Sequence, residues 1–131
     1  MAVADRNGLP IAVRIAGGER GETTLVEETL DDCFLDELPS NLVGDKAYDS
    51  TKLDIALKKR GIEMIAPVNR RHTNNEQDGR RLRRYRRRWK VERLFAWLMR
   101  FRRVVTRYER KAANFLGIVQ LGCAAILLRR L

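Results

Sequence analysis

The segment from Leu42 to Pro67 constrains the fold of this chain more than any other. Leu42-Val43-Gly44 is a short apolar run that stops at Asp45. Asp49 or Ser50 can cap a helix over Thr51 to Arg60, which Gly61 closes. Ile62, Met64 and Ile65 then form a second apolar run, ended by Pro67. Strand, helix and strand in that order suggest a parallel crossover, and parallel strands occur in sheets with helices on their faces. An α/β domain follows. Asp45 stands at the carboxyl end of the first of these strands, where open α/β sheets place their functional groups.

With 131 residues the chain has room for one domain. Ahead of the crossover, Asp5-Arg6-Asn7-Gly8 is a turn signal, and Leu9, Ile11, Val13 and Ile15 alternate as in a strand running to Ala16. A hairpin is expected, with Met1 to Ala4 as a short first arm that is either an edge strand or the end of an element continuing upstream. After Gly17-Gly18, Thr23 or Thr24 can cap a helix whose apolar positions Val26, Leu30, Cys33, Phe34 and Leu38 keep helical spacing up to Pro39. Beyond the crossover, residues 68 to 80 form a polar loop with Asn74-Asn75 and Asp78-Gly79. A long helix from Leu82 to about Arg107 is predicted, followed by an apolar helix capped by Asn114 and running to Leu128. No internal repeat is present.

Charge narrows the function. Lys and Arg number 27 against 17 Asp and Glu, a net +10. The excess is polarised: residues 1 to 49 carry a net −7, whereas residues 80 to 111 carry 15 basic and 2 acidic side chains. A solvated helix face mixes signs, and this stretch does not. Enough positive charge is gathered there to meet several phosphates, so nucleic acid is the expected partner and an acidic membrane the weaker choice.

Cys33 and Cys123 lie far apart in apolar settings that look helical, as buried free thiols do, which points to a reducing cytoplasm. The N-terminus lacks the pattern of a signal peptide. The apolar stretch from Phe115 to Leu128 is too short for a membrane span and is read as a buried helix. His72 has no second histidine or cysteine at ligand spacing, so a zinc site is not expected. Gly17-Gly18 and Gly21 lack the Lys-Ser/Thr pair of a phosphate-binding loop.

On the long helix Tyr85, Arg88 and Glu92 stand at i, i+3 and i+7 and share one face. Glu92 is surrounded in sequence by Arg84, Arg86, Arg87, Arg88, Lys90 and Arg93. It is either a salt-bridge partner or a metal ligand whose arginines contact phosphates, and periodicity leaves both open. Trp89, Trp97 and Phe101 recur at multiples of four, a spacing that suits packing against the last helix better than base stacking.

Taken together, Leu42-Val43-Gly44-Asp45-Lys46-Ala47-Tyr48-Asp49-Ser50, Tyr85-x2-Arg88-x3-Glu92-Arg93-x-Phe95-Ala96-Trp97-Leu98 and Arg102-Arg103-x3-Arg107-Tyr108-Glu109 resemble bacterial insertion-sequence transposases of the DDE type, specifically the insertion-sequence-five group. The resemblance spans nearly the whole chain, from the Asp5 to Pro10 turn to Asn114-Phe115-Leu116. It implies an RNase H-like fold, a mixed sheet flanked by helices. It also implies a site in which three carboxylates hold two divalent ions, Mg²⁺ or Mn²⁺, for cleavage and strand transfer of DNA. Hard cations of this kind take oxygen ligands.

By the resemblance Asp45 is the second metal ligand and Glu92 the third. Tyr85 and Arg88 orient Glu92 or the DNA backbone, and Asp49 is a cap or a supporting group. Arg84, Arg86, Arg87, Lys90, Arg93, Arg100, Arg102, Arg103 and Arg107 would meet duplex DNA, both the element's terminal inverted repeats and target DNA. The chain would be nucleoid-associated, as a homodimer or paired with the product of an upstream reading frame.

Two departures stand out. The basic residue that the family places seven positions after its glutamate is Met99 here, with Arg100 next and Arg102-Arg103 beyond. No residue matches the family's first aspartate, since Asp5 belongs to the turn. The chain therefore reads as an N-terminally truncated domain over residues 1–131 that lacks the opening strand. Alone it would be inactive as an enzyme: part of a frameshifted element, a DNA-binding repressor, or the product of a pseudogene. An RNA-binding protein would account for the arginines but not for Asp45 and Glu92 in these contexts.

Overall fold

The computed structural model describes residues 1–68 and 82–130. The expected polar loop beyond Val68, with His72, lies outside them. Strands β1 (Ala2–Ala4) and β2 (Pro10–Val13) pair antiparallel, with Ala2 opposite Val13 and Val3 opposite Ala12, and a bulge follows Val3. The turn between them forms around Asp5, whose Oδ1 accepts from the backbone N–H groups of Asn7 at 2.7 Å and Leu9 at 2.8 Å. Gly8 takes φ +82°, a conformation natural to glycine.

Helix α1 (Glu22–Asp31) is shorter than its apolar spacing suggests. Thr24 sits inside it, hydrogen-bonded through Oγ1 to the Gly21 carbonyl at 2.6 Å, and Gly21 occupies the cap position. The helix ends because the chain is captured by the sheet: Cys33 bridges Ala12, and the Phe34 N–H donates to the Ile11 carbonyl at 2.7 Å. Asp31 and Asp32 also sit against the negative end of the helix dipole, with no basic residue in the last turn. Phe34, Leu35 and Leu38 are consequently exposed rather than on a buried helix face.

The crossover forms as expected. Strand β3 (Asn41–Val43) leads through a single 3-10 turn at Lys46–Tyr48 and helix α2 (Thr51–Lys59) to strand β4 (Glu63–Ile65), parallel to β3, with Leu42 opposite Met64. The described strands thus make two separate two-stranded sheets.

The long helix is broken into α3 (Leu82–Tyr85), a turn, α4 (Trp89–Leu98) and α5 (Arg102–Val105). The first break falls where Arg83 faces Arg87 and Arg84 faces Arg88 at helical i,i+4 spacing, so the unbroken helix would stack like charges. The second follows Leu98, where the backbone turns so that Phe101 packs on the last helix. Gly122 makes room there, since a Cβ on it would stand 3.2 Å from Leu98 Cδ2 and 3.4 Å from Phe101 Cδ2. That last helix, α6 (Ala112–Leu128), begins two residues before the expected Asn114 cap, and Lys111 takes the cap position.

Two cores result. Val13, Leu94, Leu98, Val119, Cys123 and Ile126 join β2, α4 and α6. Val26, Leu30, Leu53, Leu57 and Ile62 join α1 and α2, with Met1, Leu42 and Met64 against them. Helix α6 buries one face only, leaving Leu121 and Leu128 exposed. No helix among the described residues is long and apolar enough to cross a membrane.

Candidate metal and nucleic-acid site

Asp45 follows β3 and caps the 3-10 turn: its Oδ1 accepts from the Ala47 N–H at 2.8 Å, and its side chain is exposed. A cap uses one carboxylate oxygen and leaves the other open to solvent. Tyr48, three residues on, turns inward and donates from its hydroxyl to Glu22 Oε2 at 3.1 Å. Burial, and then the Glu22 charge, push the Tyr48 hydroxyl well above the ordinary tyrosine range, so it remains a donor. Asp49 closes the 3-10 turn, and Ser50 takes the cap position of α2. Burial and then the Asp49 charge raise the Asp54 carboxyl above its usual value.

The Tyr85, Arg88 and Glu92 set survives the break in the helix. The Arg88 guanidinium lies over the Tyr85 ring, 5.4 Å from its centroid, and its Nη2 is 3.8 Å from Glu92 Oε1. Tyr85 belongs to α3, Arg88 to the turn and Glu92 to α4, so one arginine connects both helices through its two contacts. Glu92 is 63% exposed, and at this distance the ion pair holds it loosely.

Asp45 and Glu92 are on different elements, each with its own partner. Arg84 on α3 donates to the Asn41 side chain at the start of β3, the end away from Asp45. Among the described residues no group of three or more His, Cys, Asp or Glu side chains could hold a metal ion. The donors are of the right kind for a hard cation, carboxylate oxygens, but too few to make the site by themselves.

The cations divide into two sets, a division that sequence reasoning missed. Arg93 is stacked between Trp89 and Trp97, 4.8 and 4.9 Å from their centroids, and donates to the Asn7 carbonyl. Arg130 also lies over the Trp97 ring, 4.6 Å from its centroid. Lys90 donates to the Arg6 carbonyl. The start of α4 is thereby fastened to the β1–β2 turn by two charged side chains. Trp97 and Phe101 pack on the first core as expected, whereas Trp89 is half exposed and serves this clamp. The Trp-x3-Arg-x3-Trp stripe of Trp89, Arg93 and Trp97 was the signal available for it.

Further along, Arg103 pairs with Glu109, and Arg107 donates from Nε to the Glu109 carbonyl at 2.9 Å and covers the Phe115 ring. Burial works against the charged Glu109 carboxyl, but its own N–H, Arg103 and the Tyr108 N–H outweigh it and hold the carboxyl below its usual range. The side chains of Arg86, Arg87, Arg100 and Arg102 are exposed and make no hydrogen bond or ion pair among the described residues.

The described residues thus form an α/β fold with an exposed carboxylate at the carboxyl end of a parallel strand, a Tyr-Arg-Glu set and several exposed arginines. Residues 1–128 match the family model described as the transposase DDE domain, and the chain belongs to this family. It is 33% identical, over 95% of its length, to a protein of Burkholderia cepacia named for the transposase of insertion sequence element IS402, and it spans 59% of that relative. It is 29% identical, over 98% of its length and 95% of the relative, to a protein of Brucella ovis named for the transposase of element IS6501. No solved structure matches the chain.

Proposed function

We propose that this chain is the C-terminal part of an RNase H-like catalytic domain of an insertion-sequence-five-group transposase. It binds duplex DNA through its free arginines and contributes Asp45 and Glu92 to a metal site that other residues complete. The observation that supports this best is Asp45: a family member carries an exposed carboxylate, with one oxygen uncommitted, at the carboxyl end of a parallel strand. When bound, divalent ions would polarise the phosphodiester and activate the attacking hydroxyl. Asp45 and Glu92 would hold them, with Arg88, stacked on the Tyr85 ring, as a loose ion-pair partner of Glu92.

Arg86, Arg87, Arg100 and Arg102 are the contacts we assign to DNA phosphates. Arg93 and Lys90 instead have their charges committed inside the molecule. On the reading that the family's first aspartate has no counterpart here, the chain alone binds DNA and does not cut it. It then acts as a repressor or waits for the rest of the domain. The test is duplex-DNA affinity against salt: four phosphate contacts give a slope of about −4 in log K against log salt, since each contributes about −0.9. Arg86→Ala with Arg87→Ala should reduce the slope by about 2. Equal affinity for double-stranded RNA would favour an RNA-binding protein, and a flat salt dependence would refute the proposal.

A further inference from the structure

The link between α5 and α6 carries the Arg107-Tyr108-Glu109 end of the last sequence motif, and neither the metal ligands nor the free arginines use its tyrosine. The chain leaves α5 extended at Thr106, with φ −109° and ψ 107°, and enters α6 extended at Lys111, with φ −86° and ψ 132°. A surface link without helical hydrogen bonds is ordinarily mobile. Here it is tied to both helices. Arg107 donates from Nε to the Glu109 carbonyl at 2.9 Å and from Nη2 to the Arg110 carbonyl at 3.3 Å. Its guanidinium lies 5.4 Å from the centroid of Phe115, a ring of α6 that packs on the first core. The Glu109 side chain is only 6% exposed, and its carboxylate accepts from Arg103 of α5 and from the Tyr108 N–H at 3.2 Å.

These ties fix the backbone at Tyr108 and leave its side chain outside. The ring is 69% exposed, more than any other aromatic side chain among the described residues. A tyrosine ring gains by burial, so holding one in water costs stability that a merely structural link would not incur. The ring is also uncovered. A lysine or arginine cation lies over Tyr85, Trp89, Trp97 and Phe115, whereas among the described residues none lies over Tyr108.

Beside the ring opens a cleft of about 460 Å³ lined by Arg102, Arg103 and Tyr108. Ligand clefts range over roughly 300–1,000 Å³, so this one suits a single small group. Its two cations differ. Arg103 is matched by Glu109, which fixes it as a wall of the cleft, while the Arg102 guanidinium has no anion among the described residues.

We infer that this cleft holds one unpaired nucleotide of DNA, with its base stacked on Tyr108 and its phosphate on Arg102. Each half of the site selects one half of that ligand. An uncovered, immobilised ring takes a planar aromatic group, and the unmatched guanidinium beside it takes an anion. A base inside a duplex has both faces covered by its neighbours, so the site reads a strand end or a displaced base, not paired DNA. Stacking is indifferent to which base is offered, so no sequence preference is expected from it. The inference rests on the DNA-binding reading above and adds to it a preference for unpaired structure.

The test measures the affinity of the full chain for a blunt duplex and for the same duplex with a short single-stranded tail, at one salt concentration. We expect the tailed duplex to bind more tightly. Tyr108→Ala should weaken tailed-duplex binding by about 5- to 150-fold, the range that stacking of one base supplies, and leave blunt-duplex binding unchanged. Tyr108→Phe keeps the ring and should retain the preference. Arg102→Ala should weaken both probes, because its charge meets a phosphate in either. The link to Glu109 runs through the Tyr108 main chain, so Tyr108→Ala preserves it, and an unaltered urea midpoint verifies this. Equal affinity of the unaltered chain for the two probes, equal losses on both with Tyr108→Ala, or loss of the preference with Tyr108→Phe would overturn the inference. Blunt-duplex affinity of the unaltered chain tests the DNA-binding reading by itself, and the tailed-to-blunt ratio tests the cleft.

Discussion

Arg93→Ala removes the guanidinium that joins α4 to the β1–β2 turn. The side chain makes two stacking contacts, at 4.8 and 4.9 Å, and one hydrogen bond to a backbone carbonyl. A cation over a half-exposed ring such as Trp89 is worth about 0.5–1 kcal/mol, and over a better-covered ring such as Trp97 about 2. The charged hydrogen bond adds about 1.5 kcal/mol. Against this, Arg93 Nε is buried without a partner, so its removal returns about 1–2 kcal/mol. The expected net loss is about 2–3 kcal/mol. Urea unfolding followed by tryptophan fluorescence measures it, with Arg100→Ala as the exposed control expected to stay within about 0.5 kcal/mol. Duplex-DNA affinity at fixed salt should change less for Arg93→Ala than for Arg86→Ala, provided that the variant is folded. A stability loss below about 0.5 kcal/mol, or a full phosphate's worth of lost salt slope, would refute the clamp.

The cores and the buried thiol set further expectations. Leu94→Ala empties a fully buried position between β2, α4 and α6 and should cost about 2–5 kcal/mol in the same unfolding assay. Burial raises the Cys123 thiol to about 11, so alkylation at pH 8 should modify Cys33 alone in the native protein and both thiols in denaturant. Because the folded Glu109 carboxyl is held below the ordinary glutamate range, its contribution is fully present above that range and is lost as the pH falls through and below it. Glu109→Gln should therefore flatten the acid side of the stability profile.

The crossover was legible because both strands and the helix between them are bounded by local signals, Gly44-Asp45, Gly61 and Pro67, that act wherever they occur. The β1–β2 turn was legible for the same reason, through Asp5 and Gly8. The long helix was not, because its apolar period continues through Arg86–Arg88 and Met99–Phe101. Its breaks are set by charge repulsion and by the fit of Phe101 on Gly122, a residue of another helix. The end of α1 is likewise decided at a distance, by the open edge of β2. At the site, the Tyr85, Arg88 and Glu92 set could be read because it is local. The division of the cations into clamp and free sets could not, since it depends on carbonyls more than 80 positions away.

The proposed function is that of a DNA-binding chain holding two carboxylates of a site that other residues complete. One labelled duplex, incubated with the purified chain and Mg²⁺ or Mn²⁺ at low salt, tests it most directly by scoring complex and strand breaks in the same sample. The account predicts a complex that dissolves as salt rises and no metal-dependent breaks. Metal-dependent breaks that disappear with Glu92→Gln would contradict it, because the chain would then carry a complete site.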